Sequence, residues 1–347
     1  MREDAESKDS VSIWFVRQAV AGLVRHQRDA APILQAAGIP MALLQVDQAR
    51  VSAASFGALW LAIAAELDDE LFGMDRRRMK VGSFALLCRG MARAADLGDA
   101  LQLAVQFFNV TMDDARVDVE ESGPVARLSM MERQPGQRPS AYAVFAHETV
   151  MMMLHGLMCW LVGRRIRIQR AAFPHARPPW WREYQAMFSA ELEFDAARSE
   201  IAFDARTLAA APERGEAEVR EFLRSAPHNF IVKFRDRNSC SARIRRRMRH
   251  TAPTHWPDLP QLAAEMDLAL STLHRRLDQE GTSFREIKDS LRRDLAIDLL
   301  THSQDRIASI AATLGFAEPS AFHRAFKQWT GARPGDYRQR AGSRCLE

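Results

Sequence analysis

The stretch Asp258-Leu259-Pro-Gln-Leu262-Ala263-Ala264-Glu-Met266-Asp267-Leu-Ala269-Leu-Ser271-Thr272-Leu273-His274-Arg275-Arg276-Leu277 carries a spacing that returns further on. The second copy is Ile307-Ala-Ser-Ile310-Ala311-Ala312-Thr-Leu314-Gly315-Phe316-Ala-Glu-Pro319-Ser320-Ala-Phe322-His323-Arg324-Ala-Phe326-Lys327. Each copy opens with apolar residues three and four apart, the mark of a short helix with one buried face. A break follows, at Asp267 or Gly315, where a turn needs a left-handed residue. A second short helix then sets Leu273 and Leu277, or Phe322 and Phe326, inward. The paired alanines Ala263-Ala264 and Ala311-Ala312 are small where two helices cross closely. Two short helices joined in this way form a helix-turn-helix, which offers its second helix to the major groove of DNA. The units are placed at about 258–280 and 305–328.

The outward faces of the two second helices suit that use. The first offers Ser271, Thr272, His274, Arg275 and Arg276; the second offers Pro319, Ser320, His323, Arg324 and Lys327. Arginine pairs with guanine through two hydrogen bonds, and Ser, Thr and His reach base edges or phosphates. A solvated helix face is the plain alternative for one such helix. Two copies in a basic segment favour the nucleic-acid reading. Residues 237–347 carry 19 Lys plus Arg against 13 Asp plus Glu, whereas residues 1–236 carry 29 against 31. The basic excess therefore sits with the repeat, as phosphate binding requires. Between the copies, Phe284, Ile287, Leu291, Leu295 and Leu299 form one helical stripe, with Ser283 and Glu286 as a capping box. That helix is about 27 Å long, enough to hold two reading helices roughly one duplex turn apart, ~34 Å.

The closing run Gly315-Phe316, Ser320, Phe322, Arg324, Phe326-Lys327, Gly331, Pro334, Tyr337-Arg338 resembles the C-terminal pattern of the AraC/XylS family of bacterial transcription regulators. The first unit, with Glu280-Gly281-Thr282-Ser283-Phe284, fits as well. The resemblance covers about one hundred residues. It implies an all-α, seven-helix DNA-binding domain that contacts double-stranded DNA through the residues named above. Two positions depart from the family pattern. Ala269 stands where relatives often carry a capping Ser, and Ser271 where they often carry Arg. Ser271 thus has two readings, a DNA contact or a cap on its own helix.

Upstream, helical patterning starts near Ile13 with Phe15, Ala19, Leu23 and Val24, after a polar tail at 1–10 expected to be disordered. Further helices are read over 32–38, 51–67, 84–94 and 97–108. The texture then alternates. Arg116–Glu120 and Val125–Met130 read as a hairpin with a loose turn; 165–173, 191–194 and 199–203 read as further strands. Helices at 141–162, 178–188 and 214–223 complete an α+β half. Residues 241–249 read as a helix with Ile244 and Met248 inward and an arginine-rich outer face, the first helix of the DNA-binding domain. The division is 1–224 for an effector-sensing or oligomerisation domain, 225–238 for a linker, and 239–340 for the DNA-binding domain.

The first half resembles, more weakly, the arabinose-binding-like N-terminal domain of one branch of the same family. The residues concerned are Gly38-Ile39-Pro40, Phe56 with Leu59-Trp60, Phe72-Gly73, Gly82-Ser83-Phe84 with Leu86-Leu87, and Leu97 to Phe108. The resemblance implies a domain that senses a small molecule, pairs protomers, or both, so a homodimer is expected. RNA polymerase is a further candidate partner.

The cysteines Cys88, Cys159, Cys240 and Cys345 form no CxxC pair, which speaks against a disulfide framework and for a reducing cytoplasm. No signal peptide is visible, and no run approaches eighteen uninterrupted apolar residues, so no membrane span is expected. His147, Glu148, Met151, Met152, Met153, His155, Met158 and Cys159 crowd one helix. Metal binding needs more ligands than these supply, so neither metal nor cofactor is expected. Met151, His155 and Met158 are the candidates for an effector-pocket wall, because methionine adapts to apolar ligands. Trp180-Trp181 reads as packing or interface rather than as a ring-stacking site. With no nucleophile elbow, phosphate loop, metalloprotease motif or paired carboxylates, an enzyme is not expected. Two functional readings stand. In one, a sequence-specific regulator is controlled by a small molecule; in the other, the first half only oligomerises or contacts a protein.

Overall fold

The computed structural model describes residues 10–134, 141–188, 191–227, 240–280 and 282–338. Most of the predicted 1–10 tail and 225–238 linker, together with Gly281 and Cys345, lies outside the described residues. The described chain divides into two compact units. One comprises 15–33 and 57–227; the other comprises 10–14, 34–56 and 240–338. The fold class is the expected one, an α+β N-terminal part followed by an all-α helix-turn-helix domain.

The first unit is built on a five-stranded sheet in the order β3-β4-β7-β5-β6. Strands β3 (Ala115–Ser122) and β4 (Val125–Glu132) form the expected hairpin. Its turn is tight rather than loose, because Ser122 pairs with Val125 and Gly123 takes φ +58°. Strand β7 (Ser199–Asp204) pairs antiparallel with β4 and with β5 (Arg170–Ala172), and β6 (Leu192–Glu193) pairs parallel with β5. The strand expected over 165–173 is only three residues long.

Helix α6 (Ala141–Leu161) crosses this sheet. The segment Ala143–Leu161 is long and apolar enough to span a membrane, yet 83% of its most apolar window is buried inside the protein. It is a core helix. Helices α4 (Ser83–Met91) and α5 (Leu97–Thr111) pack together, and Gly90 leaves room for Leu103, since a Cβ there would lie 2.7 Å from a Leu103 methyl. Asn109 on α5 both donates to and accepts from the Val117 backbone of β3, at 2.8 and 3.0 Å. Helix α1 (Ile13–Arg25) buries Phe15, Ala19 and Leu23 as expected, but Val24 faces solvent.

The second unit contains two strands that the sequence does not announce, β1 (Ser10–Ser12) and β2 (Arg50–Ser52). They pair antiparallel, and three residues each are too few for alternation to show. Helices α2 (Ala31–Ala36) and α3 (Ala53–Leu67) flank this region of the chain.

Seven helices follow in the described residues from 240 onward. Helix α9 (Cys240–Arg249) buries Ile244 and Met248 against α10 (Leu259–Glu265), α11 (Leu270–Gln279) and the first half of α12 (Phe284–His302). The second half of α12 packs with α13 (Ile307–Thr313), α14 (Pro319–Thr330) and α15 (Pro334–Tyr337). Phe322, Phe326 and Tyr337 are completely buried there. Each such ring contributes about 1.5–3 kcal/mol of hydrophobic stabilisation.

Because α12 serves two cores, its buried face turns along its length. Ile287 and Leu291 face the first core; Asp294, Ala296, Ile297 and Leu300 are the buried residues further on. Leu295 and Leu299, expected on one stripe with them, are only half-buried. Of the paired alanines, Ala263 and Ala311 are buried while Ala264 and Ala312 face solvent. A helix crosses its neighbour on one face only, so one small residue per pair suffices.

Candidate nucleic-acid interface

The two turns have the backbone that the repeat demands. Asp267 and Gly315 both take left-handed φ, +55° and +78°. The first helix of the first pair is locked by a capping box, with Gln261 N donating to Asp258 Oδ1 at 2.9 Å and Asp258 N donating to Gln261 Oε1 at 3.0 Å. The linking helix α12 has the expected box, with Glu286 N donating to Ser283 Oγ at 3.2 Å and Ser283 N donating to Glu286 Oε2 at 2.8 Å. Glu280 accepts the first backbone N–H groups of α9, those of Cys240 and Ser241, at 2.8 and 2.9 Å, so the end of α11 caps the start of α9.

Helices α11 and α14 present their outer faces to solvent. Ser271, His274, Arg275 and Arg276 are exposed on α11, with Thr272 half-buried. Pro319, Ser320, His323, Arg324 and Lys327 are exposed on α14. Arg276 leans back toward α9, its Nη1 lying 4.0 Å from Cys240 Sγ, while Ser320 Oγ lies 3.4 Å from Glu318 Oε2. Ser271 does not cap α11. The N-cap is Ala269, which has no side-chain acceptor.

Leu270, not singled out in the sequence, is 41% exposed in the first turn of α11. It falls off the apolar stripe of its own helix, the only signal that marked it. An exposed apolar side chain there suits the thymine methyl group. The basic face of α9 is partly used within the protein: Arg245 Nη1 donates to Ser290 Oγ at 2.6 Å, and Arg247 pairs with Glu265 at 2.9 Å.

In the other unit, Met151, His155 and Met158 are buried on α6. His155 Nε2 lies 2.9 Å from the Ile166 carbonyl and 3.5 Å from Cys159 Sγ, which in turn accepts from Ile166 N at 3.2 Å. This pair ties the chain beyond α6 back onto the helix. Among the described residues, no group of three His, Cys, Asp or Glu is arranged to hold a metal ion. Trp181 stacks under the Arg177 guanidinium at 3.7 Å.

A second polar cluster was not legible beforehand. Glu148 is fully buried, accepts the Tyr184 hydroxyl, and has His175 Nε2 at 3.6 Å from Oε1, while its Oε2 has no hydrogen-bond partner among the described residues. Phe173, Phe194, His175 and Tyr184 pack around one another with ring centroids 4.8–5.9 Å apart. Burial raises the Glu148 carboxyl, and burial together with the adjacent Glu148 raises the Tyr184 hydroxyl, which therefore stays a donor.

Comparison with known proteins bears on both halves. Residues 28–211 match the arabinose-binding domain of AraC transcription regulator, N-term, and residues 262–340 match a helix-turn-helix domain. The chain is 27% identical over 308 residues to the ornithine utilization regulator of Pseudomonas aeruginosa, covering 88% of this chain and 90% of that one. It is 25% identical over 319 residues to the HTH-type transcriptional regulator VirS of Mycobacterium tuberculosis, covering 90% and 92%. Similarity to the crystal structure of the transcriptional regulator CdpR of Pseudomonas aeruginosa extends over 98% of this chain and 99% of that one, at 21% identity and a TM-score of 0.33.

Proposed function

The chain belongs to the AraC family of transcription regulators, and from that premise we propose that this DNA-binding regulator reads a two-part operator by docking α11 and α14 in successive major grooves. The carrying observation is the pair of exposed helices, each entered through a left-handed turn and each presenting an arginine, Arg275 or Arg324, to solvent. The contact set is the sequence-derived one, Ser271, Thr272, His274, Arg275, Arg276, Pro319, Ser320, His323, Arg324 and Lys327. The regulator acts as a homodimer in the cytoplasm and carries no enzymatic activity. RNA polymerase is the partner to test once an operator is known. For function the division remains 1–224 and 239–340, with residues 34–56 lending structure to the unit that holds the DNA-binding helices.

The arabinose-binding-like domain supports control by a small molecule. Its ligand acts by binding the DNA-competent and DNA-incompetent states unequally. One relative is named for ornithine utilization, which makes basic amino acids the first ligand class to try. The alternative, a first half that only oligomerises or contacts a protein, draws support from the packing of Met151, His155 and Met158 into the core.

The test is binding to DNA flanking the protein's own gene against scrambled DNA at two salt concentrations. Preference for the native fragment that survives the higher salt supports the reading. Equal, salt-sensitive binding to both would reduce it to backbone attraction. A ligand that raises the melting temperature separates the sensor from the oligomerisation reading.

A further inference from the structure

We propose that Arg292 is a positioning residue that sets the register between the two reading helices. Arg292 sits near the middle of α12, between the two cores that this helix serves. Its guanidinium lies over two aromatic rings, with Cζ 5.5 Å from the Trp256 ring centroid and 5.4 Å from that of Phe316. The rings flank different helix-turn-helix units, Trp256 just before the first and Phe316 within the second. Trp256 packs against the first core and donates Nε1 to the Met248 and Thr251 carbonyls, at 2.9 and 3.1 Å. Phe316 packs against Phe322 and Trp329 in the second.

Arg292 also donates Nε to the Leu314 carbonyl at 3.2 Å. Leu314 closes helix α13, so a cation meets the carbonyl end of that helix, where helix partial charge is negative. The next residue is the left-handed Gly315. A Cβ there would meet the Pro253 carbonyl oxygen at 3.5 Å and Arg292 Nη2 at 3.7 Å. The loop before α10, the guanidinium and the turn before α14 therefore form one layered contact.

The long helix fixes the distance between the units, about 28 Å for its 19 residues. It does not by itself fix how the second turn is swung about the helix axis. One base pair changes the position of a half-site by about 3.4 Å and about 35°. A strut that grips both turns decides which spacing the protein accepts. Arginine suits the place because one planar group stacks on two rings and still donates along its edge, which a lysine ammonium does not do.

The inference rests on the two-groove reading, and its test separates the two. Duplexes selected by the wild-type full-length protein from a random pool are remade with zero, one or two base pairs inserted between half-sites, alongside an isolated half-site. Wild type should lose about tenfold or more in affinity per misplaced base pair, the usual cost of one wrong contact. Arg292→Met should flatten that ratio to about twofold while isolated half-site binding stays within about twofold of wild type. Arg292→Lys should restore little of the discrimination. An Arg292→Met protein that is merely less heat-stable but keeps the wild-type spacing profile overturns the inference alone. Wild-type selection of a single half-site overturns both the inference and the two-groove reading.

Discussion

The backbone N–H of Arg50 donates to the hydroxyl of Tyr337 at 2.9 Å, joining residues 287 positions apart in the chain. Around this bond Arg50 also reaches back to Ser10, with Nε donating to Oγ at 2.8 Å and Nη2 to the carbonyl at 2.9 Å. The β1–β2 ladder is thereby fastened to the last helix of the DNA-binding bundle.

Tyr337→Phe removes this acceptor from the Arg50 N–H. The expected cost is about 1 kcal/mol, the net worth of one part-buried hydrogen bond. Urea unfolding measures it. Base preference should not change, because Tyr337 lies inside the bundle.

Gly331 closes α14 in the left-handed region at φ +69°, and a Cβ on it would lie 2.6 Å from Gln48 Cβ. Gly331→Ala should cost at least about 1 kcal/mol from the backbone alone, with the clash adding to it. Pairing it with Gln48→Gly should recover the clash portion and leave the backbone portion, a distinction a double-mutant cycle reads directly.

Arg275→Ala and Arg324→Ala should each weaken operator binding by ~1–3 kcal/mol and relax specificity at one base pair. Binding titrations against single-base operator variants check this. Unchanged affinity and unchanged base preference in both variants would sink the assignment. Leu270→Ala should lower preference for thymine at one position without altering the salt dependence.

Ala269 is the N-cap of α11 and has extended backbone, φ −65° and ψ 143°, but no side-chain acceptor. Ala269→Ser should stabilise the protein by about 0.5–2 kcal/mol, the ordinary value of an N-cap oxygen. Ser283→Ala at the start of α12 should cost a similar amount, since its Oγ holds Glu286 N. Thermal melts of the two variants should move in opposite directions.

The Glu148 cluster makes stability depend on pH with a definite sign. Burial raises Glu148 above its ordinary 4.5. His175 is pulled down by its own burial but pushed up further by Glu148, the Ala176 carbonyl and Asp195, ending above its ordinary 6.5. Both groups hold their protons more tightly in the folded protein. Their contribution is therefore complete below the ordinary values and is lost as pH rises through the folded ones. The melting temperature should fall as pH rises from 4.5 upward, and again above 6.5. Glu148→Gln should flatten the first fall and, with the carboxylate gone, weaken the second, leaving the part that the Ala176 carbonyl and Asp195 sustain. A wild-type slope in Glu148→Gln would show that other groups set the pH response.

The helix-turn-helix repeat was legible because its causes are local. Apolar residues three and four apart, a left-handed residue at Asp267 and Gly315, and the Ser283–Glu286 box each act within one or two helical turns. The hairpin at Gly123 and the long apolar helix α6 were legible for the same reason. What the sequence by itself determined was therefore the class of each half and the two helix faces that point outward. Tertiary structure alone decided the rest. The turning of the buried face along α12, the two-ring clasp on Arg292, the Glu148–Tyr184–His175 cluster and the bond from Arg50 to Tyr337 join residues from separate elements. Each arises where side chains from different elements must share one space, and no periodicity along the chain records which partner will be there.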